Sequence, residues 1–166
     1  MKSNVDFSPY TLAAFEKPWE EELVALIGAC YAEYGQTIEL DTLDSDLLKI
    51  EEVYSGPGSA FCVLLRGGRL VASVAVKRTG GREAELKRLF VDPGHRRRGL
   101  GRKLSLWARG FAEAQGFDVL HVWSDVLYDK AHALYRSLGA DDTGKRRSLG
   151  GVNSVDEFYF EWRIDR

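Results

Sequence analysis

The chain is poor in the residues that build metal centres and covalent frameworks. Among 166 residues there are two cysteines and three histidines. Cys30 and Cys62 stand far apart, each inside an apolar pattern. Two buried free thiols in a reducing compartment are therefore expected, not a disulfide framework. No Cys/His cluster has zinc-like spacing, so no metal site is expected. No apolar run approaches the ~20 residues of a membrane span. The N-terminal stretch "MKSNVDFSPYTLAAFEKPWEEE" lacks the apolar core of a signal peptide. The reading is a soluble, cytoplasmic protein with no membrane partner. There is no internal repeat, low-complexity tract or linker, and the length suits one domain.

Excess basic charge is missing too. The formal net charge is -2, and no basic stripe runs along the chain, which argues against a nucleic-acid partner. The charge is unevenly distributed. Residues 16–52 hold eleven acids and two bases, nine net negative charges. Such a run is usually a solvated helix face; the functional alternative is a field that attracts a cationic substrate.

Periodicity supplies the elements. "YTLAAF" (10–15) reads as a short strand. Trp19, Leu23, Leu26, Ile27, Cys30, Tyr31 and Tyr34 recur at helical spacing behind Pro18 and three glutamates that suit a helix N-terminus. A shorter helix is expected within 43–54. Two β-branched runs flank Gly67-Gly68, a hairpin signal, and "REAELKRLFV" (82–91) is a third consecutive strand. From Gly99 the period becomes helical, with Leu100, Leu104, Trp107, Ala108, Phe111 and Ala112 on one face. "DVLHVWS" (118–124) is a buried strand, "KAHALYRSLG" (130–139) a helix, and the remainder a hairpin connected through Gly150 and Gly151. The order is β-α-α-β-β-β-α-β-α-β-β. The strand–helix–strand of 82–124 should be a right-handed parallel crossover in an otherwise mostly antiparallel sheet. This is a single α/β domain, residues 1–166.

Between that strand and helix lies "HRRRGLGRKL" (95–104). A helix start leaves about four backbone N–H groups unpaired, and its dipole favours an anion. Gly99 and Gly101 lack side chains that would block the approach, and the arginines add charge. The stretch is no Rossmann fingerprint, because position 104 is Leu104, and no P-loop, because Gly-Lys-Ser/Thr is absent.

"ELKRLFVDPGHRRRGLGRKL" resembles the acetyl-CoA-binding motif of the GNAT superfamily of N-acetyltransferases. Arg96-Arg97-Arg98-Gly99-Leu100-Gly101 matches its Arg/Gln-x-x-Gly-x-Gly/Ala at every fixed position. Downstream, "AHALYRSLGA" resembles the family's second coenzyme motif at Ala131, Leu134, Tyr135 and Gly139, with Ala140 in place of the usual Phe. The Asn often found seven residues before the Tyr is Tyr128 here. The resemblance implies a GNAT-like seven-stranded mixed sheet whose central parallel pair, 82–91 and 118–124, splays to take acetyl-CoA as cosubstrate. It implies pyrophosphate on the backbone of Arg96, Arg97, Arg98, Gly99, Leu100, Gly101 and Arg102, and pantetheine along Leu89, Phe90 and Val91. It implies direct attack by an amine on the thioester, with no acyl-enzyme.

On that resemblance Tyr135 is the expected general acid and a coenzyme contact. Glu85 is the expected base, with Glu83, Asp125 or a water chain as alternatives. Tyr31, Tyr34 and Asp125 are expected to line the acceptor side. The acceptor is a primary amine of a small molecule or peptide, with a cationic character suggested by the acids of 16–52. His95 and His132 are read as solvated or capping residues with phosphate contact as the alternative, His121 and Trp123 as structural, and Arg146-Arg147 as a solvated hairpin edge. A homodimer through the C-terminal hairpin also follows from the resemblance. The competing reading is a non-catalytic acyl-CoA sensor or interaction module of the same fold.

Overall fold

A computed structural model describes residues 5–164; the first four and last two residues of the expected domain lie outside it. Seven strands form one sheet in the order β1-β2-β3-β4-β5-β7-β6. They are β1 (Thr11–Ala14), β2 (Ala60–Arg66), β3 (Arg69–Gly80), β4 (Glu83–Val91), β5 (Val119–Asp125), β6 (Asp141–Ser148) and β7 (Asp156–Arg163). Only β4 and β5 are parallel; every other neighbour pair is antiparallel. The helices are α1 (Glu20–Ala32), α2 (Ile50–Val53), α3 (Leu100–Ala114) and α4 (Asp129–Ser137).

Alternation in the strands sends side chains to two cores. Phe61 and Val63 of β2 join Leu23, Leu26, Ile27 and Cys30 of α1 on one face. Cys62 and Leu64 join Leu100, Leu104, Trp107 and Ala108 of α3 on the other, with Leu120, Val122, Phe160 and Trp162 from β5 and β7. Both cysteines are buried and unpaired. Because Leu120 and Val122 enter the α3 core, His121 and Trp123 must face the opposite side, where Tyr159 packs on both rings.

One expected helix is split. Residues 43–54 form a 3-10 turn, Ser45–Leu48, and the single turn of α2, broken at Lys49 (φ -136°). Asp44 and Asp46 are drawn sideways into a buried ion cluster described below, and a continuous helix would not keep both carboxylates on one target.

Candidate active site

β4 and β5 pair only at Glu83–Val119, Ala84–Leu120 and Glu85–His121. Beyond Glu85 each strand follows its outer neighbour, β3 or β7, and the inner edge of β4 is left without a strand partner. Backbone N–H and C=O groups need partners, so this edge suits an extended ligand that pairs as a strand would. Leu89, Phe90, Val122, Ser124 and Tyr135 line the gap.

A bulge shapes the β4 wall. Ser73 pairs with Phe90 and Ala75 with Lys87, so Arg88 and Leu89 together oppose Val74. Arg88 takes φ +52°, unusual for a residue with a Cβ. It is tied at both ends. Ser73 Oγ donates to its carbonyl at 2.7 Å. Its guanidinium donates to Asp44 at 2.7 Å, to Tyr31 Oη at 3.3 Å and to both oxygens of Asp46. Tyr31 and Tyr54 donate in turn to Asp44 and Asp46, at 3.0 and 2.7 Å. The Arg88 and Asp44 side chains are 10% and 5% exposed. Burial pushes the Asp46 carboxyl up, but the Arg88 charge and the hydrogen bonds from Arg88 and Tyr54 outweigh it, and the group lies below its ordinary range. The sequence reading missed this cluster. The available signal is Arg88, a cation running into the apolar end of a strand at Leu89, Phe90 and Val91.

At the other end of the gap, Asp92 accepts from the Gly94 amide at 2.8 Å and turns the chain from β4 toward α3. Gly99 caps α3 with φ +75°, and a Cβ there would meet no atom within 4 Å. Lys103 N–H closes the first turn on Gly99 O at 3.0 Å, so the amides before it face out from the helix end. The two glycines of the motif differ. Gly101 is helical, and its Cβ would stand 3.4 Å from Leu134; it lets α3 approach α4. Leu100 is buried in the core, so it can offer a ligand only its backbone. Arg97, Arg98 and Arg102 are exposed, and their side chains make no ion pair or hydrogen bond among the described residues. Arg96 behaves otherwise: its guanidinium reaches Val91 O at 3.0 Å, Glu33 at 2.8 and 2.5 Å and Cys30 Sγ at 3.5 Å. It braces β4 against α1 and occupies the Val91 carbonyl. The geometry fits a coenzyme with a phosphate tail and an amide-bearing arm.

The middle of the gap holds the titratable groups. Tyr135 is buried against Phe160 and Trp162, and its hydroxyl makes no hydrogen bond among the described residues. Burial alone raises its pKa, so it remains a proton donor. Glu85 is half-buried and meets Lys87 Nζ at 3.4 Å; Glu83 is exposed. Asp125 is buried and already engaged, accepting from Leu127 N at 2.8 Å and from Gln36. Tyr31 lines the gap but serves Arg88 and Asp44, while Tyr34 is exposed and packs on Tyr128. The Tyr128 hydroxyl donates to Gln36 at 3.0 Å. His95 lies against Tyr10 at 3.2 Å and His132 against Ser124 at 3.1 Å. His121 is buried, its Nδ1 makes no hydrogen bond among the described residues, and burial lowers its pKa. Trp123 and Arg147, expected to be core and solvated edge, both line the gap, with the guanidinium 4.4 Å from the ring centroid.

Two loops roof one side of the gap. The loop after α1 and the β6–β7 loop are joined by Asn153, which accepts from Thr37 N at 2.9 Å and donates to Thr37 O at 2.7 Å. Glu39 accepts from the amides of Val152 and Asn153 at 3.0 and 3.3 Å. A Cβ on Gly151 would lie 2.6 Å from the Glu39 carboxylate, and φ there is +87°; only glycine admits this approach. Replacing Asn153 by alanine is expected to raise the acceptor KM several-fold, while acetyl-CoA affinity, measured by calorimetry, stays unchanged.

Residues 20–140 match the acetyltransferase (GNAT) family. The chain is 33% identical over 130 residues to the uncharacterized N-acetyltransferase YjgM of Escherichia coli (strain K12), covering 75% of this chain and 77% of that one. It is 32% identical over 148 residues to N-acetylaspartate synthetase of Danio rerio, covering 83% of this chain but 52% of that longer relative. Among solved structures, an acetyltransferase from Streptococcus agalactiae 2603 superposes with a TM-score of 0.79 at 23% identity, covering 95% of this chain and all of that one. The putative acetyltransferase yncA from Salmonella typhimurium, solved with its cofactor acetyl-CoA, gives 0.73 at 18% identity, covering 94% of each. A strand pair that opens into a gap, a bare helix end at its mouth and these relatives agree: the chain belongs to the GNAT family of acetyltransferases, acyltransferases that take their acetyl group from acetyl-CoA.

Proposed function

We propose that this protein transfers the acetyl group of acetyl-CoA directly to the primary amine of a small-molecule or peptide acceptor. The observation that carries the reading is Tyr135, a proton-donating hydroxyl in the same gap as Glu85, between the helix end and the roofed side. The amides of Arg97 to Arg102 hold the pyrophosphate, with Arg97, Arg98 and Arg102 adding charge. The free edge of β4 at Leu89 and Phe90 pairs with the pantetheine arm, and an N–H there polarises the thioester carbonyl. When bound, acetyl-CoA supplies the thioester carbon to which the amine nitrogen bonds as the carbon–sulfur bond breaks. Glu85, directly or through water, takes one proton from the ammonium before attack; the nitrogen gives up a second after it bonds to the carbonyl carbon, and that proton restores the one Tyr135 gives to the departing sulfur. No cysteine takes part, since Cys30 and Cys62 are buried and burial raises both thiols.

The acceptor amine arrives as a cation, and Glu85 receives it. The acids of 16–52 add less to that preference than their number suggests, because Glu33, Glu39, Asp44 and Asp46 are committed to Arg96, the β6–β7 loop and Arg88. We place the protein in the cytoplasm, on its free thiols; no helix among the described residues is long and apolar enough to cross a membrane. Pairing of two copies through the β6–β7 hairpin is part of the same proposal.

The reading is tested by calorimetry with acetyl-CoA and by titrating the thiol released with a panel of amines. Gly99→Asp and Gly99→Asn both carry a Cβ that tolerates the left-handed backbone. The aspartate adds a negative charge at the anion site and should bind acetyl-CoA about tenfold more weakly than the asparagine. Equal affinities would move the phosphate elsewhere. Binding without turnover of any amine would favour the sensor reading.

A further inference from the structure

Resting on that function, we infer that the acceptor is a zwitterion, an α-amino acid or a close analogue with a carboxylate beside its amine. The charged groups lining the gap fall into two sets. Asp44, Arg88 and Asp125 are satisfied internally, as described. Glu85, Lys87, Arg147 and Glu157 are the others, two acids and two bases. Their mutual pairing is incomplete. Lys87 gives one hydrogen bond, to Glu85 at 3.4 Å, and an ammonium has three donors. Arg147 gives only Nε to Glu157 at 2.5 Å, and its two terminal nitrogens make no hydrogen bond among the described residues. Stacking on Trp123 holds that guanidinium in place. The donors left unused in the gap therefore come from two cations, Lys87 on β4 and Arg147 on β6, and such donors suit a carboxylate.

Glu85 and Lys87 lie two residues apart on one strand, so their side chains share a face. An α-amino acid, with its ammonium and carboxylate on one carbon, can exchange the single Glu85–Lys87 contact for one to each group. The ammonium goes to Glu85, where it loses its proton, and the carboxylate to Lys87 and Arg147. A monoamine leaves both cations unanswered, and a diamine brings a second positive charge against them.

The experiment compares matched pairs as acceptors: L-alanine with ethylamine, L-phenylalanine with phenethylamine, and L-lysine with cadaverine, using the full chain at saturating acetyl-CoA. The carboxylated member of at least one pair should show a kcat/KM about tenfold or more higher, the size of one or two charge-assisted hydrogen bonds. Lys87→Met and Arg147→Met should each shrink that ratio, and together bring it near one, mainly through KM. Melting temperature checks that the variants fold; Arg147→Met, at an edge strand, tests the idea even if Lys87→Met does not. Amines equal to or better than their amino acids overturn the inference, as does no turnover of any of these six by a protein that acetylates other amines. Failure of acetyl-CoA to bind overturns the function instead.

Discussion

Replacing Arg88 by leucine is expected to destabilise the fold by about 3–5 kcal/mol, because it leaves Asp44 and Asp46 buried without their cation. Urea denaturation measures the loss. Most of it should return when both acids are made asparagine alongside Arg88→Leu, since a buried ion cluster and its neutral replacement are often close in stability. The pH dependence gives an independent check. In the native protein Asp46 titrates below its ordinary value, so its contribution is present above the ordinary pKa near ~3.9 and is lost as pH falls through the lower folded value. In Arg88→Leu the partner is gone and burial prevails. The folded carboxyl then holds its proton more tightly, and stability should rise as pH falls toward 4. An unchanged acid limb would show that the cluster does not govern Asp46. Catalysis should suffer as well, because the same guanidinium anchors the bulge that aims Leu89 and Phe90 at the gap.

Tyr135→Phe is expected to lower kcat about a hundredfold or more, the lower range for removing a general acid, with little change in KM for acetyl-CoA. The ring keeps its contacts with Phe160 and Trp162, so the melting temperature should hardly move. Steady-state kinetics at saturating acceptor decides the point. A rise in KM with kcat preserved would make Tyr135 a packing residue for the coenzyme arm. Because burial raises the Tyr135 pKa, the hydroxyl should not set the basic limb of the rate profile anywhere near neutral pH.

Much of this architecture was legible in the residues. Period-two and period-3.6 patterns placed seven strands and the long helices because each element buries one face, and burial writes its period into the sequence. The helix start at Gly99 was legible because it needs local features alone: a left-handed cap, small residues and nearby charge. Local motifs also singled out Tyr135 and Glu85, and the fold sets both in one gap.

What the sequence did not reveal depends on residues far apart in the chain. Arg88 and its partners at 44 and 46 are joined only after α1 folds over β4, so an acidic run that looked like a surface proved to be partly interior. Arg96 matched the coenzyme motif, yet its guanidinium is held by Glu33, because α1 brings that carboxylate within reach. Arg147 and Trp123 became gap residues because β6 and β7 add to the sheet beside β5, and Asn153 became part of a roof because the loop after α1 lies beneath it. The sequence by itself determined the fold class and the family, since periodicity and a helix-cap motif are properties of short segments. The tertiary structure alone decided which charges are used up and which still face the gap, because that follows from partners brought together across the sheet.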